Sequence, residues 1–360
     1  MRLILHVGTH KTGTTLIQDS LFRHRADLER QGVHYSIPTG QLRVTKSAHH
    51  GLFRGLSRFG AAERAALESY RASALGSGAH TLVLSAESLM QSVDADERGT
   101  WEERRARYLA RLAEYLAPFE TEVIVYLRRP DSFAVSFFKE RAARSTSPIT
   151  FPEMVADLKR HYVYQPRIED FRRAFPKVTV RSYEAASASG LIADFVEQTR
   201  IPTIPVSAGR SLRSGVSVRA SHWLMTAKQY EELASPFRWR FALEANATHF
   251  ADPRGTTFWS SDEERSRFYM AMVKDLDEAS FWDGPGRGGQ PIAYDAYDFA
   301  ADEQAFKMWW SQNRSRQMAR VHLGLMAFAE PLGVEVAQLA VLTQYYRLGI
   351  KGRAPEPQFA

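Results

Sequence analysis

The chain has no cysteine among its 360 residues. Disulfides, thiolate nucleophiles and cysteine-bound zinc are therefore excluded from any account of its chemistry. Nor does it contain a run approaching the ~18 apolar residues of a membrane span. Blocks of Lys and Arg of the kind that form nucleic-acid arms are absent, as are zinc-finger and RNA-recognition signatures. Neither membrane insertion nor nucleic-acid binding is expected. Met1 runs directly into Arg2-Leu3-Ile4-Leu5-His6-Val7, which leaves no space for the charged, apolar and cleavage regions of a signal peptide. A soluble, cytoplasmic protein is the expectation.

What is present suits a globular chain. The apolar fraction of 44% is enough to build a core. The net charge of +6 suits an anionic ligand without requiring a polyanion. Arg2–Val7 has the apolar, partly β-branched pattern of a buried strand stopped by Gly8, and Thr15–Arg30 follows with helical spacing. Val33–Ser36, Thr81–Ser85, Glu122–Leu127 and Lys177–Ser182 have strand character. Helices are expected over Ala61–Leu75, Thr100–Leu116, Asp131–Arg144 and Leu191–Thr199, and residues 41–60 look irregular. This alternation predicts an α/β fold, a phosphate-loop-type, mostly parallel sheet flanked by helices. From about residue 216 the pattern turns helical, near 216–234, 262–279, 301–329 and 334–347. The expected division is a core of residues 1–215 and a helical C-terminal part of residues 216–360. Trp282–Pro291 reads as a loop. The sequence is silent on oligomeric state.

The chemistry concentrates after the first strand, in Gly8-Thr9-His10-Lys11-Thr12-Gly13-Thr14-Thr15. A Walker A loop places lysine directly after its second glycine, followed by a hydroxyl for Mg²⁺. Here Thr14 follows Gly13, and the lysine, Lys11, stands two residues before it. The parts of an anion cradle survive: glycine-freed amides at a helix start, where the macrodipole favours negative charge. The competing reading is a plain strand-to-helix turn, which has no need of a lysine and several threonines beside its glycines.

Leu5–Thr15 resembles the 5′-phosphosulfate loop of sulfotransferases that use 3′-phosphoadenosine 5′-phosphosulfate (PAPS), particularly the bacterial carbohydrate-type branch. The resemblance implies that Lys11 contacts the bridging oxygen and sulfuryl group. Gly8, His10, Thr12, Gly13, Thr14 and Thr15 then form the 5′-phosphate cradle, and no metal is needed. A second stretch, Val125-Tyr126-Leu127-Arg128-Arg129-Pro130-Asp131-Ser132-Phe133-Ala134-Val135-Ser136, is similar to that family's 3′-phosphate motif. It implies that Arg128 and Ser136, eight positions apart, hold the 3′-phosphate. Apart from any family, a strand delivers its carboxyl-terminal residues to the ligand crevice of a parallel sheet, and arginine presents a fork to phosphate there. Surface charges following a strand are the alternative, and Arg129 leaves open which arginine points inward. In Val180–Glu184, Tyr183 matches a tyrosine that lies near the adenine, or else is a core aromatic. Arg213, in Arg210–Gly215, matches a late basic loop, or else is solvated.

Sulfuryl transfer needs a base for the acceptor's proton. The resemblance places it between the two motifs, where Glu87 follows the strand Thr81–Ser85. A helix cap is the competing role for that carboxylate. His50 and His49 are second candidates, with acceptor binding and simple solvation as alternatives. The implied activity moves a sulfuryl group from PAPS to a small-molecule or glycan acceptor, releasing adenosine 3′,5′-bisphosphate. A kinase or NTPase with a degenerate loop, and a non-catalytic nucleotide-binding module, are the other classes consistent with the residues. The tryptophans Trp223, Trp239, Trp259, Trp282, Trp309 and Trp310 either stack on sugars or pack a core.

Overall fold

Five short apolar runs become five strands: β1 (Arg2–Gly8), β2 (Val33–His34), β3 (Thr81–Ser85), β4 (Glu120–Leu127) and β5 (Lys177–Ser182). A computed structural model describes residues 1–42, 47–144, 149–205, 217–227, 257–277 and 279–282. The strand order is β2-β3-β1-β4-β5, and every neighbouring pair is parallel. The fold is α/β, with an all-parallel sheet covered by helices. β1 is the middle strand, and the chain leaves it first towards β2 and β3, then returns across it to β4 and β5. That reversal opens a crevice at the carboxyl ends of β1, β3 and β4.

Period-two alternation assigns the sheet's two faces. Leu3, Leu5 and Val7 of β1 share one apolar cluster with Leu82, Leu84, Val123, Val125 and Leu127. Ile4, Val83, Ile124 and Tyr126 share the other. The first face is covered by the helices His50–Arg58, Ala61–Leu75, Trp101–Leu116 and Gln165–Ala174, together with Tyr269, Val273, Leu276 and Trp282 from later in the chain. The second is covered by α1 (Thr14–Arg23) and the helices Tyr183–Ser189 and Leu191–Thr199.

Contacts divide the chain into two compact units. The first comprises Met1–Ala134, Leu158–Arg213 and Arg265–Pro291, and holds the sheet. The second comprises Val135–Asp157, Ser214–Glu264 and Ile292–Ala360. Its described part includes a ring cluster in which Phe138 meets Phe258 at 4.6 Å and Phe151 meets Trp259 at 4.9 Å. Trp259 and Trp282 are both buried in packing. Trp239, Trp309 and Trp310 lie outside the described residues.

The structure differs from the sequence expectation in several places. Residues 41–60 are not wholly irregular, since His50–Arg58 is a helix. Gly51 and Gly55 lower its intrinsic propensity, but Leu52, Phe53 and Leu56 are fully buried. The bare Gly55 also lets Leu42 approach: a Cβ there would lie 2.9 Å from Leu42 Cδ2. Packing overrides propensity. The helix expected over Thr15–Arg30 breaks at His24 into Thr14–Arg23 and Arg25–Arg30. β2 is only two residues long. Helices also form over Phe151–Asp157, Lys159–Tyr162 and Gln165–Ala174, where none was expected. Val218–Ala227 and Asp262–Val273 are helical, and no strand occurs after β5 among the described residues. No helix among the described residues is long and apolar enough to cross a membrane.

Candidate functional site

β1 ends at Gly8 and α1 starts at Thr14, so Thr9–Gly13 must turn the chain within five residues. Lys11 and Gly13 accomplish this with left-handed φ values of 70° and 68°. That conformation is costly for a residue bearing a Cβ, so its occurrence at Lys11 marks local strain. Gly13 has no alternative: a Cβ there would lie 2.4 Å from Leu191 Cδ2. At Gly8 it would lie 2.6 Å from Thr12 Oγ1. Thr12 is buried and serves the loop itself. Its hydroxyl donates to the Thr9 carbonyl at 2.7 Å and lies 3.2 Å from Thr14 Oγ1. α1 has no side-chain cap and no acidic residue in its first turn. Among the described residues, the amides of Thr14 and Thr15 donate to no protein group. An uncapped helix start of this kind has the donors and the dipole sign that suit an anion.

β4 closes the other side. The Thr9 amide donates to the Tyr126 carbonyl at 3.0 Å, and the Arg128 amide donates to Thr9 Oγ1 at 3.2 Å. Arg128 Nη1 then donates to the Lys11 carbonyl at 2.9 Å, and its guanidinium lies 5.3 Å from the Tyr183 ring centre. Arg129 turns the opposite way, as alternation requires. It pairs with Asp131 at 2.8 Å and stacks 3.9 Å from the Tyr269 ring centre. Arg128 therefore belongs to the loop and Arg129 to the packed face. Tyr183 lies beside the loop, 3.3 Å from the position a Gly13 Cβ would take, and also packs on the second apolar cluster. Ser136 is half-buried in the helix Pro130–Arg144, in the stretch counted with the second unit. Arg213 lies outside the described residues.

β3 supplies the carboxylate. Glu87 begins a short 3₁₀ turn after the strand, and its Oε1 is 3.4 Å from His10 Nδ1. The N-cap position of that turn is Ala86, which has no side-chain capping bond. Burial works against the carboxylate's charge, but the His10 hydrogen bond, the His10 and His50 charges and Thr14 together outweigh it. Glu87 is thereby held below the ordinary carboxylate range. His50 Nδ1 lies 2.9 Å from Ser88 Oγ. Burial lowers the His50 pKa, against the pull of Glu87.

His49 sits apart from this group. Its Nδ1 accepts from the Ser85 amide at 3.1 Å and its Nε2 donates to the Ser36 carbonyl at 2.9 Å. Both ring nitrogens are committed to backbone, which leaves none for an acceptor hydroxyl. Burial pushes it down to about 4. His6, beneath the loop, is pushed down to about 3 by burial, with Nδ1 2.8 Å from Ser85 Oγ. Gln18 of α1 donates to the same Ser85 Oγ at 3.1 Å.

These two imidazoles predict acid lability. Each has a folded pKa below its unfolded value, so each stabilises the fold fully above about pH 6.5. That stability is lost as pH falls towards 4 for His49 and towards 3 for His6. At pH 5 the loss is ~2 kcal/mol per ring. Urea unfolding at pH 7.5 and pH 5 measures it, and His49→Gln should remove part of the difference. An unfolding midpoint unchanged between the two pH values would refute neutral burial of these rings.

No protein-family model matches the chain. No curated protein matches it either. Among solved structures, the sulfotransferase domain from the curacin biosynthetic pathway is 13% identical, with 76% of this chain and 97% of that one covered. The TM-score is 0.32, a likeness too remote to carry an argument.

Two further residues lie near the site: His161, which the sequence reading misses, and Glu184, which it has only as part of the Val180–Glu184 segment. His161, on the helix Lys159–Tyr162, is pushed down to about 4 by burial first and then by the charges of Arg167 and His10. Glu184 accepts from the Arg129 amide and from Trp282 Nε1, each at 3.0 Å. Neighbouring Tyr183 and Glu184 thus divide their work, the tyrosine facing the loop and the glutamate anchoring Trp282.

Proposed function

We propose that the chain is a sulfotransferase that moves a sulfuryl group from PAPS to a hydroxyl or amine acceptor, with carbohydrate or glycolipid-like acceptors favoured. The observation that carries this is the bond from Arg128 to the Lys11 carbonyl, which joins two sequence stretches that each resemble PAPS-binding motifs. In this reading the open amides of Thr14 and Thr15 take the 5′-phosphate, and Lys11 lies beside the sulfuryl group. Arg128 takes the 3′-phosphate, and Tyr183 borders the adenine. The cradle fits an anion on its own terms: an uncapped helix start, two cations and no acidic residue in the first turn.

Transfer is an in-line displacement, so the protein's contribution is positioning and stabilisation of charge spread over sulfuryl and bridging oxygens. Lys11, two residues before the second glycine, is misplaced for Mg²⁺–ATP chemistry. Glu87 marks the side of the crevice where the acceptor's proton leaves. Calorimetric titration tests the donor: adenosine 3′,5′-bisphosphate should bind more tightly than ATP, without added Mg²⁺. Preference for ATP, or a strict Mg²⁺ requirement, would favour the kinase or NTPase reading and end this one.

A further inference from the structure

Resting on the sulfuryl-transfer reading, we propose that the acceptor's proton is taken by His10, and that Glu87 is the residue that positions its ring. His10 precedes Lys11 in the loop, so it lies one residue from the group that stabilises the leaving oxygen. β1 and β3 are hydrogen-bonded neighbours, with His6 opposite Ser85. The carboxyl end of β3 therefore brings Glu87 to within 3.4 Å of His10 Nδ1. The two side chains are 34% and 25% exposed, which leaves both within reach of an incoming hydroxyl.

The neighbouring groups divide the roles. Glu87 is surrounded by His10, His50 and Thr14, which favour its charged form, and a carboxylate so stabilised has little proton affinity at neutral pH. Of the imidazoles around it, His49 has both ring nitrogens on the backbone, His6 is fully buried with Nδ1 at Ser85, and His50 turns its Nδ1 to Ser88. His10 is the one whose ring nitrogen lies at the carboxylate, with Nδ1 3.4 Å from Glu87 Oε1. A carboxylate beside Nδ1 favours the tautomer with its proton on Nδ1 and the lone pair on Nε2, the arrangement of an oriented imidazole base. Among the described residues, the titratable groups facing His10 include Glu87 from the end of β3, His50 from the helix His50–Arg58 and His161 from the helix Lys159–Tyr162, with Lys11 next to it in the loop. Glu87 favours the imidazolium, and the others oppose it.

In the step, the acceptor O–H proton passes to His10 Nε2 as the acceptor oxygen forms its bond to sulfur. The bond from sulfur to the 5′-phosphate oxygen breaks, and adenosine 3′,5′-bisphosphate departs with the electron pair. The imidazolium then returns its proton to solvent.

The test combines ¹⁵N-histidine spectra of the full chain with release of adenosine 3′,5′-bisphosphate from PAPS, using mixed neutral and acidic oligosaccharides or water as acceptor. His10→Gln should lower release ~10²- to 10⁴-fold, while calorimetric affinity for adenosine 3′,5′-bisphosphate, which also reports folding, falls far less than the rate. Glu87→Gln should lower release less. It should also shift the acid limb of the kcat–pH profile to lower pH and abolish the single Nδ1–H tautomer of His10. Full turnover by His10→Gln with binding intact would overturn the proposal and leave the donor assignment standing. So would a Glu87→Gln variant that loses as much rate as His10→Gln with its acid limb unmoved. If the wild-type chain does not bind adenosine 3′,5′-bisphosphate, the sulfuryl-transfer reading fails and His10's role fails with it.

Discussion

Lys11→Ala is expected to lower sulfuryl transfer by about 10²- to 10³-fold, the scale seen when one preorganised donor to a developing charge is removed. The fold should survive. Lysine and alanine both carry a Cβ, so the left-handed conformation at position 11 costs them about the same. The bond from Arg128 reaches the Lys11 carbonyl and not its side chain, so the link between loop and β4 remains. Adenosine 3′,5′-bisphosphate lacks the sulfuryl group that Lys11 would contact, and its affinity should change far less than the rate. Lys11→Gly sharpens the test, since glycine adopts φ 70° without penalty. That variant should be as inactive as Lys11→Ala and no less stable. Turnover assays with PAPS, beside thermal unfolding and calorimetry, separate these effects. A fully active Lys11→Ala enzyme would refute the assignment of the loop, whatever its stability.

The strands were legible because a sheet buried on both faces needs nearly uninterrupted apolar runs, and β1, β3 and β4 have them. The helix His50–Arg58 was hidden by Gly51 and Gly55, whose value lies in letting Leu42 approach, a contact no local pattern encodes. In the site, the loop could be read because its glycines and lysine are contiguous. Its partners could be read only as positions. That Arg128 faces the loop and Arg129 faces Tyr269 follows from the alternation of β4, with Tyr126 on one face and Val125 and Leu127 on the other. His49 and His50 look equivalent as neighbours in sequence. Yet His49 sits at the helix entry with both nitrogens on the backbone, and His50, one residue later, faces Ser88 and Glu87. The pairing of His10 with Glu87 depends on β1 lying beside β3, which residue spacing cannot supply.

Arg128→Ala should weaken adenosine 3′,5′-bisphosphate by about 10²-fold more than it weakens adenosine 5′-phosphate. A charge-assisted bond to phosphate contributes ~1.5–3 kcal/mol, and every 1.4 kcal/mol is about tenfold in affinity. The ratio of the two affinities is the informative quantity. Arg128 also supports the Lys11 carbonyl and lies over Tyr183, so its loss loosens the loop and weakens both nucleotides together. Only a contact with the 3′-phosphate changes the ratio. Arg128→Lys, which keeps the charge but loses the fork, should fall between the two. Arg129→Ala is the internal contrast. It leaves the buried Asp131 carboxylate with Arg265 at 3.9 Å as the remaining cation among the described residues, and should cost stability while leaving the ratio unchanged. Calorimetry on the three variants decides it. If Arg128→Ala lowers both affinities equally, its guanidinium holds the loop and does not read the 3′-phosphate. If Arg129→Ala moves the ratio instead, the two arginines have exchanged the roles that the alternation of β4 gives them.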